Sequence, residues 1–454
     1  VVETTLTAEA GKTLIGDLEI DGLTFNGDYA GPVLRVHPGD LLRIHLLNHL
    51  SEPTNLHFHG MRTSPLGNSD NVHLSVSAGG TFTYEVLIPL SQPPGLYWYH
   101  SHAHGLSEHQ VLYGLSGALI VEGPLPPGLE TAAQRYFVLK DTTFDDDTGN
   151  ETIDGPLHGL IASINGKLDT NETMHPGEAQ LWHFGNQSAN LAIHLALEGH
   201  RFRIVSVDGV PAVIQPVVDV LDIMPAGRFA AVVEGGEAGI YALTSKGVMT
   251  GSGANRTPDR VMGHLKVAGE PVPTAQPGPA PAGLPDLRSA KIDARRTVVF
   301  NQSKALDPDK QEFYVNGIKF DANRVDFRIP LGSTEEWTVR NDSDDLHVFH
   351  IHQISFQVIE VNGKPVPFSG HVDTVRIPER GEVKLVLPFT DPIIVGRFMF
   401  HCHVLRHEDH GMMAQVEVFD PKPSPASDRL WRLYLHVWWW AHGVPWSLCG
   451  LGWT

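Results

Sequence analysis

The sequence predicts an all-β chain of several domains, and three observations carry that prediction. Short apolar runs alternate with polar residues at period two, as in Leu42-Arg43-Ile44-His45-Leu46 and from Thr81 to Ile88, where Phe82, Tyr84, Val86 and Ile88 share one face. Turn residues bound these runs, as at Pro38-Gly39-Asp40. The 454 residues hold only two cysteines, so buried sheet cores rather than a disulfide framework must support the fold.

Taken in order, residues 1–125 read as a first β-domain, with apolar runs at Val33-Leu34-Arg35-Val36, Gly95-Leu96-Tyr97-Trp98-Tyr99-His100 and Gly117-Ala118-Leu119-Ile120-Val121. Residues 126–268 read as a second, with strands predicted from Arg135 to Lys140, Ala179 to Phe184, Phe202 to Val207, Val217 to Ile223 and Phe229 to Val233. It contains His158, His175, His183, His194 and His200, none of them in a His-x-His pair, so the domain is expected to be a copper-free spacer. Residues 269–290, GEPVPTAQPGPAPAGLPDLRSA, have the Pro, Ala and Gly content of an extended, semi-rigid linker. Residues 291–420 read as a third β-domain, with strands predicted from Arg295 to Asn301, Val325 to Ile329, Glu335 to Asn341, His350 to Ile359, Glu382 to Leu387 and Gly396 to Phe400. Residues 421–454 break the pattern. They hold six of the nine tryptophans, and Arg432, His436, His442 and Pro445 interrupt any membrane span.

The chemistry centres on His401-Cys402-His403. On a strand, successive side chains point to opposite faces. His401 and His403 then point one way and Cys402 the other, so one tripeptide can serve two metal sites a few covalent bonds apart. His407 and Met412 follow. A thiolate, imidazoles and a weak axial thioether are the ligand set of a blue-copper electron-transfer site. Three more clusters repeat the period of two: His57 with His59, His100 with His102, and His350 with His352. His347 has the opposite parity to His350 and can face Cys402. The count then closes. One site takes Cys402, His347 and His407, with Met412 axial. The other takes His57, His59, His100, His102, His350, His352, His401 and His403, a set that suits about three copper ions.

The motifs HFHG, HSH, HVFHIH and HCHVLRHEDHGM, in this order, resemble those of the multicopper oxidases, the family of laccases, ascorbate oxidase, bilirubin oxidase and the bacterial cuprous oxidases. The resemblance runs from about residue 5 to about residue 420. It implies three consecutive cupredoxin-like Greek-key β-barrels of the three-domain, bacterial laccase-like branch, with a metal cluster between the first and third. It implies four copper ions: one type 1, one type 2 on His57 and His350, and a type 3 pair on His59, His100, His102, His352, His401 and His403. It further implies that Cys402 carries electrons from the type 1 copper through His401 and His403. Dioxygen is the implied oxidant, a monomer the implied state, and the periplasm or exterior the implied location.

Reducing dioxygen to water takes four electrons and four protons. Asp70, in GNSDNV, and Glu408, directly after His407, stand where relatives place proton-delivering acids. His104 and His109, in HAHGLSEHQ, are expected to orient ligands rather than bind metal. A Met at the axial position predicts a low or middling type 1 potential, suited to phenols, aromatic amines or cuprous ion. His407 is the expected electron entry point. Only eight methionines are present, with no Met-rich insertion of the cuprous oxidases, which favours a laccase over a metal-ion oxidase. A non-enzymatic envelope scaffold of this family would lack ligands that this chain retains. The formal net charge of -19 argues against nucleic acid and anionic membrane surfaces as partners.

Overall fold

A computed structural model describes residues 1–143, 160–247, 259–279, 283–304 and 310–422. The Trp-rich stretch beyond residue 422, and His158, lie outside the described residues. Six sheets form three successive pairs, and each pair closes over its own apolar core.

One pairing pattern occurs three times. Val2–Ile15 lies parallel to Leu41–Asn48 and antiparallel to Leu18–Phe25. Gln134–Thr143 lies parallel to Ala179–Asn186 and antiparallel to Leu160–Ile164. Ala294–Gln302 lies parallel to Ser333–Asn341 and antiparallel to Phe313–Val315. A parallel neighbour needs a connection that crosses the end of the sandwich, as a Greek key provides. The expected alternation is visible in Leu41–Asn48, where Leu42, Ile44 and Leu46 are buried and the residues between them are half-exposed. Ala179–Asn186, with strands on both sides, is buried along its whole length.

The strand pairs that carry the clustered histidines belong to the second sheet of the first and of the third domain. In the first domain, Gly95–His100 pairs with His57–His59. In the third, Gly396–Cys402 pairs with His347–Ile351. The single strand expected from His350 to Ile359 is broken. It ends at Ile351, turns at Gln353, whose φ is +67°, and resumes as Gln357–Val361 in the other sheet of the domain. The break lets the chain change sheets immediately after His352. Residues 269–279 run extended and are docked: Val272 N–H donates to Pro176 O and Gly278 N–H to Pro127 O. Among the described residues no helix is long and apolar enough to cross a membrane.

Candidate metal centres

The third domain builds one centre by itself. His347 comes from the strand His347–Ile351, Cys402 from the end of Gly396–Cys402, and His407 from the short helix Leu405–Asp409. Cys402 Sγ lies 3.6 Å from His347 Nδ1 and 3.5 Å from His407 Nδ1, and the two nitrogens lie 3.0 Å apart. His347 is fixed from behind by Ser343 Oγ, 2.9 Å from its Nε2. Phe313 stacks on His407 with ring centroids 4.3 Å apart. Met412 is buried beside the centre, and its carbonyl accepts from Cys402 N–H at 3.1 Å. Burial, joined by the charge of Glu408, pushes the Cys402 thiol up to about 12 against the hydrogen bonds from the backbone N–H groups of Val348 and Val404. A coordinating cation is what turns such a thiol into a thiolate.

The second centre is shared between domains. His57 faces His100 across one ladder and His350 faces His401 across the other. The two halves interleave: His57 stacks on His352 at 3.8 Å and His59 on His350 at 4.0 Å. Three groups of convergent nitrogens result: His57, His59 and His350; His59, His100 and His403; His102, His352 and His401. Each group draws on both domains.

These residues suit metal ions on two counts. The first is the spacing. His401 Nε2 lies 3.1 Å from His352 Nε2 and 3.4 Å from His102 Nε2. Two nitrogens each about 2 Å from one tetrahedral first-row ion lie roughly 3.3 Å apart. The second is the state of the nitrogens. His57, His100 and His350 each anchor Nδ1, on Asp70 Oδ1, Ser101 O and Asp373 O, and each leaves a buried Nε2 without a partner. A neutral imidazole has one donor and one acceptor. With the donor spent on an outer partner, the lone pair points into the cage, which is the arrangement of metal-bound histidine. Burial also holds His57, His59, His352 and His403 well below the usual imidazole range, His100 at about 4, and His102 and His350 at about 3. Their lone pairs are free at neutral pH.

Both sequence-predicted acids touch the cage. Asp70 Oδ1 accepts from His57 Nδ1 at 2.9 Å and from Phe58 N–H at 3.0 Å, while Oδ2 accepts from Gln353 Nε2 at 2.9 Å. Burial raises Asp70 to about 7. Glu408 Oε2 lies 2.9 Å from His401 Nδ1 and Oε1 lies 3.5 Å from His102 Nε2. His104 and His109 join no group. The His104 ring lies 6.1 Å from His102, and His109 is exposed, 3.8 Å from Glu52. The second domain's His175, His183, His194 and His200 join none either. Sequence reasoning missed Gln353, Ser343, Asp373 and Arg228. Gln353 directly follows the His350/His352 pair, which signals a place near the cage but not its partner; the others sit in no periodic pattern.

A buried thiol–imidazole site joined through a backbone tripeptide to a cage of eight imidazoles, on three β-sandwich domains, defines a copper oxidoreductase. Sequence models of the multicopper oxidases match residues 9–125, 136–264 and 291–422, and the chain belongs to that family. The three domains are cupredoxin-like. The multicopper oxidase mco of Staphylococcus aureus is 28% identical, over 91% of this chain and 88% of its own length. The cell division protein FtsP of Edwardsiella tarda is 27% identical, over 87% and 84%. A solved structure described as a multicopper oxidase from Campylobacter jejuni, "a metallo-oxidase", superposes with a TM-score of 0.79 at 25% identity, covering 92% of this chain and 91% of that one.

Proposed function

We propose that this protein is a laccase-like oxidase: it removes single electrons from phenols or aromatic amines at His407 and passes them to dioxygen, which is reduced to water. The observation that carries the choice of reductant concerns methionine. All seven methionines among the described residues are buried, so none offers a surface thioether to cuprous ion. The partly exposed His407, backed by Phe313, offers instead an imidazole edge to an aromatic donor.

The proposal places a type 1 copper on His347, Cys402 and His407 with Met412, a type 2 copper on His57 and His350, and a type 3 pair on the remaining six histidines. Bound there, four copper ions supply one-electron storage matched to four-electron reduction of dioxygen. The chain's own residues do the rest. Cys402 is covalently flanked by His401 and His403, so an electron entering at its sulfur has a through-bond route to the cage. Asp70, on His57, and Glu408, beside His401 and His102, are the two carboxyl groups through which protons would reach it. Ser343, Ser101 and Asp373 fix the rings by taking or facing their outer nitrogens. The enzyme works as a monomer in the periplasm or outside the cell.

A metal-ion oxidase is the second reading, favoured by the metallo-oxidase of Campylobacter jejuni. A non-catalytic scaffold role, raised by the likeness to a cell division protein, would leave the convergent nitrogens without purpose. Visible and EPR spectra of copper-loaded protein, followed by oxygen uptake with a simple phenol and then with cuprous ion, separate the three. A blue thiolate band, a type 2 signal and fast uptake on phenol are expected. Uptake on cuprous ion alone would establish the metal-ion oxidase, and the absence of a blue band would leave a scaffold.

A further inference from the structure

The second domain holds no group of ligand residues among those described, yet it reaches the cage. Arg228 is 2% exposed. Its Nη1 donates to Asp373 Oδ1 at 2.8 Å and its Nη2 to Asp373 Oδ2 at 2.6 Å, a bidentate fork across the interface between the second and third domains. Asp208, also of the second domain, completes the clamp. Its Oδ1 accepts from Arg228 N–H at 3.0 Å, and its Oδ2 accepts from the N–H groups of Asp373 and Thr374, at 3.2 Å each. The Asp373 carboxylate and backbone are therefore both held by the second domain.

Asp373 touches one histidine from each half of the cage. Its carbonyl accepts from His350 Nδ1 at 2.8 Å, and its Oδ1 lies 3.4 Å from His59 Nε2. His59 is unlike His57, His100 and His350 in making no other polar contact through either nitrogen. The approach is longer than a hydrogen bond, yet the charge of the carboxylate favours the ring proton on Nε2 and so leaves the Nδ1 lone pair for the cage. The first domain is shaped to admit this clamp. Gly60, directly after His59, has φ +81°, and a Cβ there would stand 2.5 Å from Arg228 Nη2 and 3.1 Å from Asp373 Oδ2. The glycine of the HFHG motif is thus the opening through which the guanidinium approaches.

We propose that Asp373, clamped by Arg228 and Asp208, is a positioning residue that sets the tautomer of His59 and the orientation of His350, so that the second domain governs how tightly the cage holds copper. This rests on the proposed four-copper reading. It gives the second domain a part in the centre, where a spacer would have none.

The test uses the full chain loaded with copper and then equilibrated against a graded chelator. Copper per chain, the blue band and the type 2 EPR signal are read together. In Asp373→Asn the blue band should persist, because Asp373 is not in contact with His347, Cys402 or His407. Cage copper should be lost at chelator levels roughly 10- to 100-fold lower than in the wild type, with an altered type 2 signal. Arg228→Lys keeps the charge but cannot fork both oxygens, and should fall between the two. The triple variant Arg228→Met, Asp208→Asn, Asp373→Asn removes all three buried charges of the clamp together. It guards against a fold lost to one unpaired buried charge, and should behave as Asp373→Asn does. Wild-type cage affinity and type 2 signal in Asp373→Asn and in the triple variant would overturn the proposal. So would joint loss of the blue band and cage copper in all three variants, the mark of a purely structural clamp. A wild type with no blue band would instead overturn the four-copper reading.

Discussion

Asp70 is the side chain whose surroundings say most about proton supply. It is buried, and burial raises it to about 7, while three donors, Phe58 N–H, Gln353 Nε2 and the His57 ring, favour its charged form. Such a carboxyl can give up a proton and be reloaded near neutral pH. In Asp70→Asn, the new amide oxygen can still accept from His57 and Phe58. Its NH2 would meet the Gln353 amide, which can rotate to present its own oxygen, now without a partner. The ring of His57 should therefore stay in place. The expected outcome is an unchanged blue band with turnover slowed by on the order of 10²-fold, the usual worth of a positioned acid. Stopped-flow reoxidation by dioxygen checks it, and a wild-type rate at every pH would remove Asp70 from the proton path. Asp70 was legible as a candidate from its place after HFHG. That Gln353 holds it was not, because the contact joins residues far apart in the chain and depends on a left-handed turn at a non-glycine residue.

Strands carried most of what could be read in advance, and for a physical reason. Period two assigns a side chain to a face without knowledge of the fold, so the His57/His59 and His350/His352 pairs and the opposed Cys402 were all accessible. Period two does not say which strand crosses which domain boundary. Gln134–Thr143 shows the limit. It belongs to the second domain's sheet, yet it buries Lys140 against the first domain, where Nζ donates to the carbonyls of Tyr29, Gly114 and Ser116 and lies 4.4 Å from the Tyr29 ring centroid. Burial pulls Lys140 down to about 7, against the pull of Asp28 and Asp141. The unfolded chain, with an ordinary lysine, binds this proton up to a much higher pH. Folding must then release a proton between those values, so stability from this group is lowest below pH 7 and recovers as pH rises. Lys140→Met removes the effect. The margin of the wild type over Lys140→Met in denaturant melts should widen by roughly 2 kcal/mol between pH 7 and pH 9. A margin that stays flat or narrows would show that the folded chain keeps this proton as firmly as the unfolded one, so that burial does not pull Lys140 down.

The cage ties the ends of the chain together, and that has a thermodynamic consequence. Each of its three nitrogen groups takes members from both the first and the third domain, so no group exists until those domains dock. Docking without metal buries imidazole nitrogens that have no hydrogen-bond partner, among them His57 Nε2, His100 Nε2 and both nitrogens of His403. Each such loss costs about 1–3 kcal/mol. Copper that binds only the docked form offsets this, and mass action makes the gain grow with free metal, to about 4 kcal/mol at a thousand times the dissociation constant. The second domain has its own core and, among the described residues, makes no such group, so copper should reach its stability only indirectly, through the clamp on Asp373 and contacts such as Ala189 O with Leu405 N–H and Asn190 Oδ1 with Arg406 N–H. Calorimetry of copper-loaded and chelated protein should show the transition of the first and third domains falling by several degrees on chelation and returning in step with added copper, while the second domain's transition moves less. If all transitions moved equally, the second domain would be as dependent on copper as the domains that bind it. If none moved, the cage would be preformed without metal, and the orphaned nitrogens would have to be satisfied by water.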